Sequence, residues 1–152
     1  MSTRVASLLP SATEIVCAVG AEADLVGVSH ECDFPEGVRH LPVLTRARLR
    51  AVKGSREIDR EVRSILQDAL AVYEIELARL EEARPDVIVT QDLCDVCAVS
   101  FDDVCAATAA LVHQTIRIVN LHPTRLDDIW DDIARVAEAL GRPSEGLDVV
   151  QT

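Results

Sequence analysis

The sequence predicts an α/β fold: a three-layer lobe with a mainly parallel, four- to five-stranded sheet covered by helices. Three observations lead there. Short apolar bursts alternate with amphipathic stretches, the order of βα units joined by right-handed crossovers. The clearest burst, Val87-Ile88-Val89, is apolar without alternation, as in a strand buried on both faces. Finally, the bursts stop at polar residues, and in open parallel sheets ligands bind beyond the carboxyl ends of the strands.

Length and composition set the bounds. The 152 residues suffice for one domain that buries roughly two thirds of its unfolded surface. Hydrophobic residues make up 49% of the chain and aromatics 3%, so the core is built from Ala, Val, Leu and Ile. With 15 basic and 26 acidic residues the formal charge is -11, which disfavours nucleic acid and anionic membrane as partners. No apolar run approaches the roughly 18 residues of a membrane span. Met1 leads through Ser2, Thr3 and Arg4 into a strand-like segment, with no export signal visible. The chain as it stands therefore reads as cytoplasmic, or as periplasmic or extracellular if it is part of a longer one.

The elements follow in order. Residues 5–9 form the first strand; Ser11 and Glu14 have capping-box spacing, and Gly20 closes the helix that they open. Residues 25–28 are a second strand, ending at Ser29-His30-Glu31-Cys32-Asp33. Residues 41–44 are a short strand within an irregular stretch that carries the basic cluster Arg46, Arg48, Arg50, Lys53 and Arg56. An amphipathic helix covers residues 57–70, breaks near Val72 at a β-forming Val72-Tyr73-Glu74-Ile75, and resumes towards Pro85. Residues 87–90 are the central strand. Ser100 and Asp103 open a helix to about residue 112, and residues 116–119 are the last strand. Thr124 and Asp127 repeat the capping pattern ahead of the stripe Leu126, Ile129, Trp130, Ile133, Val136, Ala137 and Leu140, which Gly141 and Pro143 stop. Trp130 reads as core. Leu147, Val149 and Val150 in the tail have no evident packing partner.

The cysteines are Cys17, Cys32, Cys94, Cys97 and Cys105, an odd number in a chain too large to need disulfide staples. Cys17 and Cys105 lie in helical patterns and read as inert buried thiols. Cys94-x-x-Cys97 offers two soft ligands, and His30-x-Cys32 an imidazole and a thiolate at another strand end, together a three- or four-ligand set for zinc or iron. Thiol-disulfide chemistry competes with this reading, but Asp92 and Asp95 flank Cys94 and disfavour its thiolate. No Gly-x-Ser-x-Gly elbow and no phosphate-cradling glycine loop is present. The parallel order places Ser11, His30, Cys32, Gln91, Asp92, Cys94 and Cys97 along one sheet edge, with Ser11, His30, Gln91 and Asp92 as ligand contacts.

Four segments carry a family resemblance: the run from Arg4 through Leu9-Pro10-Ser11-Ala12-Thr13-Glu14 to Val16, then Leu25-Val-Gly-Val-Ser-His-Glu-Cys-Asp-Phe-Pro35, then Leu41-Pro-Val-Leu-Thr45, then Arg84-Pro-Asp-Val-Ile-Val-Thr-Gln-Asp-Leu-Cys-Asp-Val-Cys97. In combination they resemble the amino-terminal lobe of cobalamin-binding, helical-backbone metal receptors, which are substrate-binding proteins of ABC transporters. The resemblance implies a binding protein rather than an enzyme. Its ligand would be cobalamin or another metal chelate, and its partner a transporter permease. It also implies a lobe over residues 1–140, with residues 141–152 as a tail that begins an inter-lobe segment. With a second lobe absent, the stripe from Leu126 to Leu140 is expected to be less buried than its periodicity suggests, or to be covered by a second copy in a homodimer.

Overall fold

The computed structural model describes residues 3–47, 73–91, 101–111 and 115–151. The helix expected over residues 57–70, most of the basic cluster, Ser100, and the site candidates Asp92, Cys94 and Cys97 lie outside the described residues. In chain order the elements are β1 (Val5–Ser7), α1 (Pro10–Ala18), β2 (Leu25–Gly27), β3 (Thr45–Ala47), β4 (Tyr73–Ile75), α2 (Leu77–Ala83), β5 (Val87–Gln91), α3 (Phe101–Ala110), β6 (Arg117–Leu121), α4 (Leu126–Ala139) and α5 (Pro143–Gln151).

Four strands form one sheet in the order β2-β1-β5-β6, parallel throughout. The register sets Val5 beside Val87, Ala6 beside Ile88 and Ser7 beside Val89. Side chains alternate across the pleat, so Val5, Val87, Val89, Val119 and Leu121 enter one core with α1, α4 and α5. Ala6, Ile88 and Ile118 face the other way, onto Leu80 and Ala83 of α2 and Val104 of α3. The result is the expected three-layer α/β lobe.

Local differences have local causes. The strand expected at residues 41–44 is reduced to one parallel bridge between Val28 and Val43. Pro42 has no N–H for a ladder, and Leu44 instead plugs the core, its side chain fully buried against Gly27. The chain then enters β3, which pairs antiparallel with β4 as a separate two-stranded ribbon. β4 and α2 fall where the break near Val72 and the resumed helix are expected.

α1 starts one residue before Ser11. Pro10 takes the first helical position with extended Leu9 as its cap, since a proline ring presets that turn and lacks only an N–H the helix leaves unpaired anyway. Ser11 therefore caps nothing. Both long helices of the first core end in the same way. Gly20 at φ 80° and Gly141 at φ 70° adopt the left-handed conformation that a side chain resists. The Gly20 and Ala21 N–H groups bond Cys17 O and Val16 O, and those of Gly141 and Arg142 bond Glu138 O and Ala137 O.

The amino cap of α4 is shifted by one residue from Thr124 and Asp127. Asp128, not Asp127, reaches back to accept from Thr124 N–H at 2.9 Å, Thr124 Oγ1 at 2.8 Å and Arg125 N–H at 2.9 Å. The tail is helical rather than unpartnered: Gly146 lets α5 approach Ala137 of α4 closely, and Val149 and Val150 pack half-buried against the first core.

Candidate ligand-binding groove

From β1 the sheet grows in both directions, to β2 on one side and β5 on the other. Loops leaving the carboxyl ends of such neighbours part and open a crevice. A groove of about 330 Å³ lies there. Ser11, Glu14, Ile15 and Ala18 of α1 form one wall, and Ile129, Asp132 and Ile133 of α4 form the other. Gln91, the last residue of β5, lies between them with Leu121 and Pro123. Two expected ligand contacts, Ser11 and Gln91, thus meet in one groove. Among the described residues, Ser11, Glu14 and Gln91 direct no side-chain hydrogen bond elsewhere in the lobe.

The α4 wall divides along its length. Ile133, Val136, Ala137 and Leu140 are buried, whereas Leu126 is 67% exposed and Ile129 and Trp130 are each 39% exposed. Trp130 is therefore a half-exposed rim residue and not a core residue. The expectation that this stripe is less buried than its periodicity implies holds for the amino-terminal half alone.

Asp132 and Glu14 join the groove without being among the candidates that the sequence singles out. Asp132 is buried although charged. Burial pushes its carboxyl above the ordinary 3.8, against the pull of Arg135. Arg135 lies 3.4 Å from Asp132 Oδ1 and donates through its other nitrogen to Asn120 O at 2.9 Å. A signal is present in the sequence: position 132 is three residues after Ile129 and four before Val136, on the apolar stripe itself.

At the neighbouring strand end, the loop after β2 is held by a buried polar chain. Cys32 Sγ lies 3.1 Å from Thr13 Oγ1 and 3.2 Å from Ser29 Oγ. Thr13 donates to Ser7 Oγ at 2.7 Å, Ser7 donates to Leu9 O at 3.1 Å, and Glu31 N–H donates to Ser29 Oγ at 3.3 Å. One direction uses each donor once: Glu31 N–H to Ser29, Ser29 to Cys32, Cys32 S–H to Thr13, Thr13 to Ser7, Ser7 to the carbonyl of Leu9. Cys32 thus ties its loop to α1. His30 is exposed and turned elsewhere, its N–H and Nδ1 at 3.0 and 2.7 Å from Thr45 Oγ1. Among the described residues no three His, Cys, Asp or Glu side chains are placed to hold a metal ion. The expected four-ligand set includes Cys94 and Cys97, which lie outside them. Cys17 is a half-buried thiol raised to about 11, chiefly by burial.

No protein-family model and no curated protein sequence matches this chain. Solved structures do match it in fold. The periplasmic heme-binding protein RhuT from Roseiflexus sp. RS-1 superposes with a TM-score of 0.65 at 22% identity, over 99% of this chain and 46% of its own. The periplasmic vitamin B12 binding protein BtuF of Vibrio cholerae gives 0.66 at 21%, over 99% and 46%. A periplasmic heme-binding protein from Pseudomonas aeruginosa gives 0.67 at 16%, over 99% and 43%. The chain therefore shares its fold with part of each of these proteins, the fold that the sequence resemblance implies. The chain spans under half the length of each of these proteins. No described helix is long and apolar enough to cross a membrane.

Proposed function

We propose that this chain is a ligand-binding lobe of the ABC-transporter substrate-binding type, and that it takes a corrinoid or another metal chelate rather than catalysing a reaction. The observation that carries this is the groove beyond the carboxyl end of β5, where Ser11 and Gln91 converge between α1 and α4. Ile129, Ile133 and Leu121 supply flat apolar surface for a macrocycle face, and Ser11 and Gln91 supply donors and acceptors for its periphery. Proteins of this fold that bind heme and vitamin B12 support the ligand class. In this reading the exposed half of α4 belongs to the cleft rim and meets a second wall outside this chain, not a second copy. Delivery to a transporter permease follows, as does a periplasmic or extracellular location, because the RhuT, BtuF and Pseudomonas aeruginosa proteins of this fold are periplasmic; nothing in the comparisons supports a cytoplasmic one.

The test is absorbance titration of cyanocobalamin, hemin and zinc against the full chain and against Gln91→Ala. Binding of one of the two chelates, weakened about tenfold or more by the substitution, is the expected result. Zinc binding without chelate binding would replace this reading with a metal site of His30, Cys32, Cys94 and Cys97. No spectral change with any probe would remove the ligand-binding function.

A further inference from the structure

We infer that Glu14 and Asp132 make the groove a charge filter, which admits chelates presenting N–H donors or positive charge and turns away those presenting carboxylates; this rests on the ligand-binding reading above. Among the described residues, those that line the groove include two acidic side chains and no Lys, Arg or His. They stand on opposite walls, Glu14 exposed on α1 and Asp132 buried on α4, so a molecule lying across the groove meets a carboxyl group on either side.

The arginine that pairs with Asp132 is already engaged. Arg135 spans Asp132 and the carbonyl of Asn120 and does not line the groove. Residues 92–100, which follow Gln91 in the chain, contain Asp92 and Asp95 but no basic residue, and the whole chain carries a formal charge of -11. A carboxylate entering this groove loses water and gains no positive partner among the described lining residues, a cost that only pairing offsets. Primary amides and cationic groups instead find acceptors: the carboxylates and the Gln91 amide oxygen. Field and local contacts therefore discriminate in the same direction. Glu14 and Asp132 would be determinants of specificity beyond the contacts that Ser11 and Gln91 make.

The experiment compares two probes on the full chain: aquacyanocobinamide, a cationic corrin bearing amides, and hemin, a porphyrin bearing two carboxylates. Each is titrated against the unaltered chain, Glu14→Gln and Glu14→Lys; the exposed position of Glu14 makes these substitutions compatible with folding, which melting curves verify. The unaltered chain is expected to favour cobinamide. Glu14→Lys should weaken cobinamide and strengthen hemin by about fivefold each, the scale of a partly exposed charge contact, with Glu14→Gln between. Hemin binding the unaltered chain as tightly as cobinamide, or Glu14→Lys moving neither affinity, overturns the filter while leaving the ligand-binding function in place. Failure of both probes to bind any variant overturns that function and the filter with it.

Discussion

Two hollows lie at opposite ends of the sheet, and they differ in how their polar side chains are bonded. Near the amino ends, a hollow of about 390 Å³ is lined by Arg4, Val26, Pro42, Arg79, Glu82 and Ala83. Its arginines look like an anion clamp until their bonds are traced. Arg4 donates from Nε to Ala83 O and Arg84 O, each at 3.1 Å, and from Nη2 to Ala83 O at 2.6 Å. Those carbonyls belong to the end of α2, where a cation is favoured. Arg79 Nη1 donates to Val43 O at 3.0 Å. The two arginines at the amino end are tied to the backbone, whereas Ser11, Glu14 and Gln91 at the carboxyl end are not. Whether polar groups are already bonded separates a structural hollow from a candidate site better than volume does.

The largest effect should come from breaking the bonded network beside the groove. Thr13→Val keeps the shape but takes the hydroxyl donor from Ser7 Oγ and the hydroxyl partner from the Cys32 thiol in a buried place. A loss of about 2 kcal/mol in urea unfolding is expected. Cys32→Ser keeps a donor and acceptor in the chain and should cost clearly less. Equal losses in the two variants would mean that Cys32 is held by packing, not by the hydroxyls. At the other end Arg4→Ala removes three bonds from an exposed side chain and should cost about 1 kcal/mol with ligand affinity unchanged. A fall in affinity there would make the amino-end hollow part of the site.

Most of the frame is legible in the sequence because it depends on short-range pattern. The bursts at Val5, Leu25, Val87 and Ile118 are the four parallel strands, and the parallel order alone brings Ser11 and Gln91 to one edge. The misses arise where tertiary contacts decide. Leu44 reads as strand because a core plug and a strand residue are equally apolar. The cap expected at Ser11 falls two residues earlier, at Leu9, because Pro10 takes the first helical position, and the pattern expected at Thr124 and Asp127 moves on by one to Arg125 and Asp128. The spacing of Gly146 gives no hint that α5 packs against Ala137. His30 and Cys32, two residues apart in the chain, part company because Thr45 and Thr13 draw them to different elements. Asp132 escapes a sequence reading because a charged residue on an apolar stripe is ordinarily assigned to the solvent face, whereas here it is buried beside the groove with Arg135 as its partner.

Two carboxylates one turn apart on α4 allow the smallest effects to sharpen the same contrast. Asp128 accepts three hydrogen bonds from Thr124 and Arg125, first the Thr124 backbone bond, and its carboxyl lies below the ordinary 3.8. Its folded form prefers the charge, so its contribution to stability is present above 3.8 and is lost as pH falls through the lowered value. Asp132 runs the other way: burial raises its carboxyl, so the charged form costs stability above the raised value, and the cost disappears as pH falls towards 3.8. At pH 7, Asp128→Asn should therefore lower the melting temperature by a few degrees, and Asp132→Asn should raise it by about a degree. In scans from pH 7 down to 3, the gain from Asp132→Asn should fade before the deficit of Asp128→Asn begins to close. Shifts of the same sign at pH 7 would show that Arg135 fully compensates Asp132. The Asp132 carboxylate would then be bonded as securely as that of Asp128, and the contrast between bonded and available polar groups would not extend to the α4 wall of the groove.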